Sequence, residues 1–394
     1  MSGALRLAVV VPRYGPDLGG GAEGLARWVA TSLGRRHEVT VLTTCAHDYR
    51  TWADHYPPGD TRDGDVLVRR FPVPVPRVTE RFDRWYTAAV RGEVGALGLE
   101  RWMREQGPHS PELLAHLDRE GAGYDAVLFV PYLYATTWEG LPLVADRSLL
   151  IPALHDEPPA REAEGAVHDR ERGGLAFSTP EERDFCHARF GALRAETRLV
   201  GVGVEGPASL PPPPASREPY VLYLGRIDYS KGCADLLLQH REARRASGAV
   251  PPLVMAGRVA MDLPDEPWLD VRGFVSEEEK ARLLAGATAV VLPSPYESLS
   301  LSVLEAWMHG RPVVVSARSP VLVGQVRRAP GGLWYEDSAQ YAEALMLLAR
   351  EPDRAARLGA QGRRYARGRF RPEAVVWRLE DLVSAVAAPR RVPA

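Results

Sequence analysis

Cysteine is scarce in this chain, with three among 394 residues. Cys45, Cys186 and Cys233 stand far apart and form no pair motif, which fits a reducing compartment and offers no cysteine metal site. Net charge is nearly absent: 49 basic against 51 acidic residues leave −2, which argues against bulk nucleic-acid binding though not against a local basic patch. No apolar run reaches the roughly 18 residues of a membrane span. Residues 1–11 carry a short apolar run without the length or cleavage site of a signal peptide. A cytoplasmic protein is expected. Lysine is nearly missing, since only Lys231 and Lys280 stand among the 49 basic residues.

What remains is an ordinary globular composition, 45% hydrophobic and 25% charged, in a chain long enough for two domains. The most informative stretch is 289–315. An apolar run, Ala289 to Leu292, and another, Pro312 to Val315, are short and β-branched, as buried parallel strands are. Between them the pattern predicts a loop, Pro293 to Ser298, and a helix from about Ser300 to His309. Gly310 stops that helix, with Pro312 beyond it. The helix N-terminus then opens at the carboxyl edge of a strand, where ligands bind in open α/β sheets. Glu297 precedes the helix and Glu305 lies inside it. The peptide N–H groups of Ser298, Leu299, Ser300 and Leu301 are expected to be available to an anion. A ligand with a central diphosphate and a polyol at each end, such as a nucleotide-activated sugar, suits this layout. The plainer alternative is a capping Glu297 and a solvated Glu305.

A second stretch, residues 220–232, reads YVLYLGRIDYSKG. A strand from Tyr220 to Leu224 runs into a turn at Gly225. Arg226 and Lys231 follow, two cations past a strand end that suit a diphosphate: Arg226 as a fork, Lys231 as a compact charge. Taken alone, they are equally readable as surface charge. Lys280 sits in a bland EEEKAR run.

Together these stretches resemble the retaining glycosyltransferases of family 4, which have the GT-B fold: two Rossmann-like α/β domains facing each other across a cleft. The family pattern has a strand followed by G-R-x-x-x-x-K-G, here Gly225-Arg226 to Lys231-Gly232. Roughly sixty to seventy residues later comes E-x7-E, here Glu297 to Glu305. A helix, a G-x-P turn (Gly310-Arg311-Pro312) and a strand complete it. The likeness is strong in the second half and loose in the first. The chain departs from the pattern at Ser300, where glycine is common, and at Leu299, where an aromatic is frequent; nucleotide and sugar choice are the properties this touches.

In the first half, Leu5 to Val11 reads as a strand, Ala22 to Arg35 as a helix, and Glu38 to Thr44 as the next strand, the start of a βαβ domain. Gly19, Gly21 and Gly24 satisfy G-x-G-x-x-G. A dinucleotide site is rejected because seven residues, Pro12 to Leu18, separate the strand from the first glycine. The resemblance instead implies that Gly20 and Gly21 let backbone approach the donor's distal phosphate. Residues 45–123 are the least readable, with irregular chain at Pro57-Pro58-Gly59 and FPVPVPR. Val66 to Phe71 reads as a strand. Arg81 to Arg104 reads as an amphipathic helix that packs on its own domain, or touches an acceptor or a membrane surface. Ser110-Pro111 opens another helix.

Strands are expected at Ala126 to Val130, Leu149 to Leu154, Leu175 to Ser178 and Arg198 to Val204, with a helix starting at Thr179-Pro180. His155 ends the second of these on the ligand side of the sheet. It reads as a core histidine or a site residue, and a metal ligand ranks last because no second histidine stands at metal spacing. The resemblance implies that it contacts the transferred sugar. Pro207 to Pro219 contains PPPP and reads as a linker. The expected domains are 1–206, completed by the terminal helix 373–388, and 220–371, with 207–219 between them. The second domain is expected to run strand 220–224, helix 233–246, strands 252–256 and 269–274, helix 277–286, the 289–315 unit, and helices 338–350 and 352–368, with the final helix, Glu373 to Ala387, crossing back onto the first domain. Arg258 and Val275 are candidate contacts to the phosphate or base.

The resemblance thus implies a retaining transfer of sugar from a nucleoside diphosphate sugar to a hydroxyl acceptor, be it a glycan, a glycolipid or a small molecule. No metal and no cofactor is expected, nor a nucleic-acid partner; a peripheral contact with the inner membrane face stays open. Glu297, His155, Arg226 and Lys231 are the expected catalytic set. Gly20, Gly21, Arg258, Val275, Ser298, Leu299, Ser300, Leu301 and Glu305 are expected to hold the donor. The rival readings are a GT-B epimerase or phosphorylase, and a nucleotide-sugar binding module without turnover.

Overall fold

A computed structural model describes residues 3–18, 21–90, 101–102, 104–157, 160, 173–210 and 218–387. The chain forms two units, residues 1–201 with 376–394, and residues 202–375. Each is built on one sheet, wholly parallel in the second unit and parallel apart from one edge hairpin in the first.

In the first unit the strands are β1 (Arg6–Val10), β2 (Glu38–Thr44), β3 (Gly59–Asp63), β4 (Val66–Phe71), β5 (Ala126–Phe129), β6 (Ser148–Leu150), β7 (Gly174–Phe177) and β8 (Glu196–Leu199). Their order across the sheet is β3-β4-β2-β1-β5-β6-β7-β8. The central strands are buried along nearly their whole length, because helices cover both faces of a parallel sheet. Edge strand β8 alternates instead, exposed then half-buried. From Val376 the terminal helix Pro372–Ala387 belongs to this unit: Arg36 meets Glu380 at 3.0 Å, and Arg378 Nη2 donates to the Val200 carbonyl at 2.9 Å.

The second unit holds β9 (Val221–Leu224), β10 (Leu253–Ala256), β11 (Leu269–Gly273), β12 (Ala289–Leu292), β13 (Val313–Ser316) and β14 (Gly332–Tyr335), all parallel. The order is β11-β10-β9-β12-β13-β14, the doubly wound arrangement. Successive strands step outward from β9 on one side, then resume from β12 on the other. The turns leaving β9 and β12 therefore diverge to opposite faces, which opens a ligand crevice at the carboxyl ends of these two strands. The Arg226–Lys231 turn leaves β9, and the Glu297 loop leaves β12.

The helices expected at 233–246, 277–286 and 338–350 have those bounds, and that expected at 352–368 runs Pro352–Arg369. Two strands end earlier than the apolar pattern suggests. β6 stops at Leu150, because Pro152 has no N–H to give the ladder and Ala153 sits at φ 53°. His155 is thus five residues beyond the strand, in a loop. β8 runs Glu196–Leu199 and not to Val204, since Gly201 turns the chain at φ 76°. The polar GDTRD segment, which carries no apolar signal, forms β3 by pairing antiparallel with β4, where Arg69 and Asp60 meet at 2.7 Å. The helix Pro320–Arg328 and strand β14 were not legible either. Of the amphipathic 81–104 stretch, residues 91–100 and 103 lie outside the described residues. Phe82 and Trp85 pack against fully buried Trp102, so this part packs on its own unit.

Candidate active site

The site in the second unit begins where β9 and β10 end. Both strands break at a glycine, Gly225 at φ 144° and Gly257 at φ 148°. The two backbones touch there: a methyl group on Gly257 would lie 1.9 Å from the Gly225 carbonyl oxygen. Only glycine fits. After this turn Asp228 caps a single helical turn, Tyr229–Lys231, by accepting the Lys231 N–H at 2.9 Å. Gly232 then turns left-handed at φ 73°, and a methyl on it would meet the Pro293 carbonyl oxygen at 2.6 Å. This close approach brings the loop leaving β12 against the β9 turn. Across it Lys231 Nζ donates to Glu297 Oε1 at 3.0 Å, two residues 66 positions apart in sequence.

The acids around the two cations hold them in place. Arg226 Nε donates to Asp228, and its Nη2 reaches Ser230 Oγ at 3.3 Å. Nη1 keeps its protons without a partner among the described residues. Glu297 is 13% exposed and Lys231 35%. The ammonium uses one of its three donors on Glu297, which leaves the others for a ligand. Asp228 has a carboxyl held below the usual range: burial pushes it up, but Ser230, Arg226 and the Lys231 N–H together outweigh that.

The helix Leu301–Met308 starts at Ser300, which is buried and makes no side-chain cap. By contrast, Ser276, Ser319 and Asp337 each accept from the third amide of their own helix. The first-turn amides of Leu301–Met308 have no intrahelical acceptor and carry partial positive charge. Ser302 Oγ ties this end to the Leu224 carbonyl at 2.9 Å, beside the Gly225 turn. Leu299 is buried, and Ser298 and Leu301 are half-buried. One turn further, Glu305 Oε1 accepts from Lys280 Nζ at 2.7 Å. Glu305 is therefore neither solvated nor alone, and Lys280 is not bland. Arg258 is exposed, with no side-chain partner among the described residues, while its carbonyl accepts the Ile227 N–H at 2.9 Å. Val275 is half-buried between β11 and the next helix.

The remaining candidates belong to the first unit. Gly20 lies outside the described residues. Gly21 starts the helix Gly21–Leu33, and a methyl there would meet nothing within 4 Å, so the fold itself does not demand glycine. Sequence reasoning missed the polar frame of this loop, where Arg13 pairs with Glu23 and donates to the His47 carbonyl at 2.6 Å. His155 Nε2 stands 3.4 Å from Glu157 Oε2, whose Oε1 accepts from the buried Tyr132 hydroxyl at 2.8 Å. The loop bearing His155 is held by Glu182, which accepts the Leu154 N–H at 2.6 Å and the Ser178 N–H at 2.5 Å. Among the described residues no three His, Cys, Asp or Glu side chains gather to hold a metal ion, and no helix is long and apolar enough to cross a membrane.

Complete burial pushes the Glu182 carboxyl up to about 8, against the Ser178, Leu154 and Thr179 amides that lower it. The folded chain therefore holds this proton more tightly than the unfolded one. Between the ordinary carboxylate range and about 8 the unfolded state loses the proton first, so stability falls as pH rises through that window and levels off above it. Melting curves from pH 5 to 9 are expected to show this decline, and Glu182→Gln to flatten it. A melting temperature that rises with pH only in the native chain, and not in the variant, would contradict the assignment.

Comparisons with known proteins agree with this architecture. Residues 211–365 match the family model of glycosyl transferases group 1. An uncharacterized glycosyltransferase of Methanocaldococcus jannaschii is 31% identical over 124 residues, 30% of this chain and 32% of that one. O-antigen chain mannosyltransferase B of Escherichia coli is 32% identical over 107 residues, 25% of this chain and 28% of that one. The chain thus spans about a third of the length of the curated relatives it matches. Similarity of fold extends further. A sucrose-phosphate synthase from Thermosynechococcus elongatus superposes with a TM-score of 0.72 at 19% identity, over 97% of this chain and 99% of that one. HepE of Anabaena, solved with UDP and glucose, gives 0.67 at 15% identity, over 97% and 100%. The fold is GT-B, two parallel-sheet Rossmann-like units. The matched segment contains every donor-side candidate outside the first unit, from Arg226 to Glu305.

Proposed function

We propose that the chain is a retaining glycosyltransferase that moves a sugar from a nucleoside diphosphate sugar to a hydroxyl acceptor without a metal ion. The observation that carries this reading is the Lys231–Glu297 contact, which joins the two motif stretches beside the helix start at Leu301. As the sugar departs, negative charge builds on the diphosphate. Lys231, Arg226 Nη1 and the first-turn amides meet it with donors already oriented, commonly the largest catalytic contribution. Glu297, beside Lys231, holds sugar hydroxyls and supports positive charge at the anomeric carbon. The departing phosphate takes the acceptor's proton on the same face, so configuration is retained. Glu305 grips the ribose. The sugar contact expected of His155 rests on the family resemblance and on the rigidly held loop around it.

The test is a thermal-shift screen of UDP-, GDP-, ADP- and TDP-sugars, followed by transfer assays with and without a chelator. A donor at 100 times its dissociation constant adds about 2.7 kcal/mol of stability, a visible shift. NMR of the product then reports the anomeric configuration. Glu297→Gln is expected to keep donor binding while losing transfer. Product formed without acceptor would favour an epimerase, and a requirement for inorganic phosphate a phosphorylase. Binding with no turnover in any assay would leave only a binding module.

A further inference from the structure

The helix Pro352–Arg369 breaks the charge balance of the chain. From Arg354 to Arg371 the sequence holds seven arginines and no acid, in a protein whose net charge is −2. Two of the seven are tied to the fold. Arg354 pairs with Glu351 at 3.2 Å, and Arg363 donates to the Met308 carbonyl at 3.0 Å and the Pro207 carbonyl at 2.8 Å. Arg357, Arg364 and Arg371 are exposed and Arg367 is half-buried, and none of these four has a partner among the described residues. Arg357, Arg364 and Arg367 share one side of the helix, the first two separated by two turns, about 10 Å. Arg371 joins them just past the helix end. The opposite side, Ala355, Gly359, Gly362 and Ala366, is buried.

Two grooves flank these side chains. An open one of about 720 Å³ is lined by Arg364, Arg367, Gly368, Arg371, Glu373 and Ala374, three cations against one acid. A smaller one of about 250 Å³ is lined by Leu333, Leu347 and Leu358, all half-buried, together with Arg354, Arg357 and Gln361. Cations in a last turn complement the helix dipole, which accounts for Arg367 and Arg369. That effect fades within one turn and leaves Arg357, Arg364 and Arg371 unexplained. The donor does not account for them either. Arg363, beside Arg364, rests on Met308, the far end of the helix whose start is proposed to face the diphosphate.

A plane of negative charge fits this face better than a single anion. No residue lining the larger groove is buried, so nothing there encloses one phosphate, and the carbonyl end of the helix opposes a lone anion. Arginines spread along a helix beside half-buried leucines suit an anionic lipid surface: the guanidinium groups meet headgroup phosphates, and the apolar groups reach the acyl boundary. A nucleic acid would use the charges and leave the leucines idle. We propose that this face of the second unit docks on an anionic phospholipid membrane through Arg357, Arg364, Arg367 and Arg371, with Leu333, Leu347 and Leu358 at the acyl boundary. The surface is distinct from the helix Thr79–Val90 of the first unit, and it does not depend on the glycosyltransferase reading.

The experiment is co-sedimentation of the full chain with vesicles of phosphatidylcholine alone and of an equal mixture of phosphatidylcholine and phosphatidylglycerol. The native chain is expected to partition onto the mixed vesicles about 100- to 500-fold more strongly, at roughly fivefold for each arginine near an anionic surface. Raising salt from about 0.1 to about 1 M should remove most of that preference, because the screening length shrinks from about 10 to about 3 Å. The triple variant Arg364→Gln, Arg367→Gln, Arg371→Gln is expected to lose about 100-fold, and Arg357→Gln alone about fivefold. Melting curves report whether either variant folds, and the single change guards against a defect in the triple. Arg81→Gln with Arg84→Gln, on the first unit's helix, is expected to leave partition unchanged. A folded triple variant that partitions like the native chain would overturn the proposal, as would equal binding to both vesicles or binding to neither. Release from the mixed vesicles by inorganic phosphate at constant ionic strength would mark a soluble anion as the ligand, and tighter binding to a short DNA duplex a nucleic acid; either result overturns it.

Discussion

Lys231→Met is expected to slow sugar transfer by about 10²–10³-fold, the loss that follows removal of one aimed donor from a site where charge develops. The ammonium is fixed before any ligand arrives: the Lys231 N–H is bound by Asp228 at 2.9 Å, and Nζ by Glu297 at 3.0 Å. Such pre-orientation means that the charge is met without reorganisation, so kcat should fall further than KM rises. Lys231→Arg is expected to recover only part of the rate, because a guanidinium forks onto Glu297 and turns away from the phosphate. Methionine also strips Glu297, 13% exposed, of its counter-charge. The double variant with Glu297→Gln should therefore cost less than the sum of the two single losses. Steady-state kinetics with the donor identified in the screen decide the matter. A drop below about fivefold would place the developing charge elsewhere.

The second large effect is on stability. Trp307→Ala is expected to cost about 3–5 kcal/mol, the range for removing a large buried ring. Trp307 is fully buried on the helix that carries Glu305, and its ring N–H donates to the Gly331 carbonyl at 2.9 Å. Two glycines shape its slot: a methyl on Gly362 would lie 2.2 Å from the ring, and one on Gly331 2.5 Å. Tyr365 meets the ring edge-on at 5.9 Å. No neighbour can collapse into that slot without dragging two helices, so a cavity remains. Urea unfolding by circular dichroism measures the loss, and donor affinity should weaken with it because Glu305 loses its footing two residues away. A loss under about 1 kcal/mol would mean that the slot closes over the gap.

Much of the second unit was legible because its information is local. Gly225, Gly232 and Gly310 take positive φ where the sequence shows a turn, and apolar runs such as Ala289–Leu292 are the strands themselves. Local pattern failed where pairing or termination comes from a distant segment. β3 is polar and exists only because β4 offers it a ladder. β6 stops short of His155 at a proline and a left-handed alanine inside an otherwise apolar run.

By itself the sequence determined the two α/β halves, the glycine turns and the spacing of Arg226, Lys231, Glu297 and Glu305, because each is written in neighbouring residues. Only the tertiary structure decided which charges meet. Lys231 reaches Glu297 across 66 residues, because the strand order lays β9 beside β12, and Lys280 reaches Glu305 across 25, from the helix before β12 to the helix after it. An ion pair depends on separation in space, and a linear pattern carries none of that until the sheet has folded.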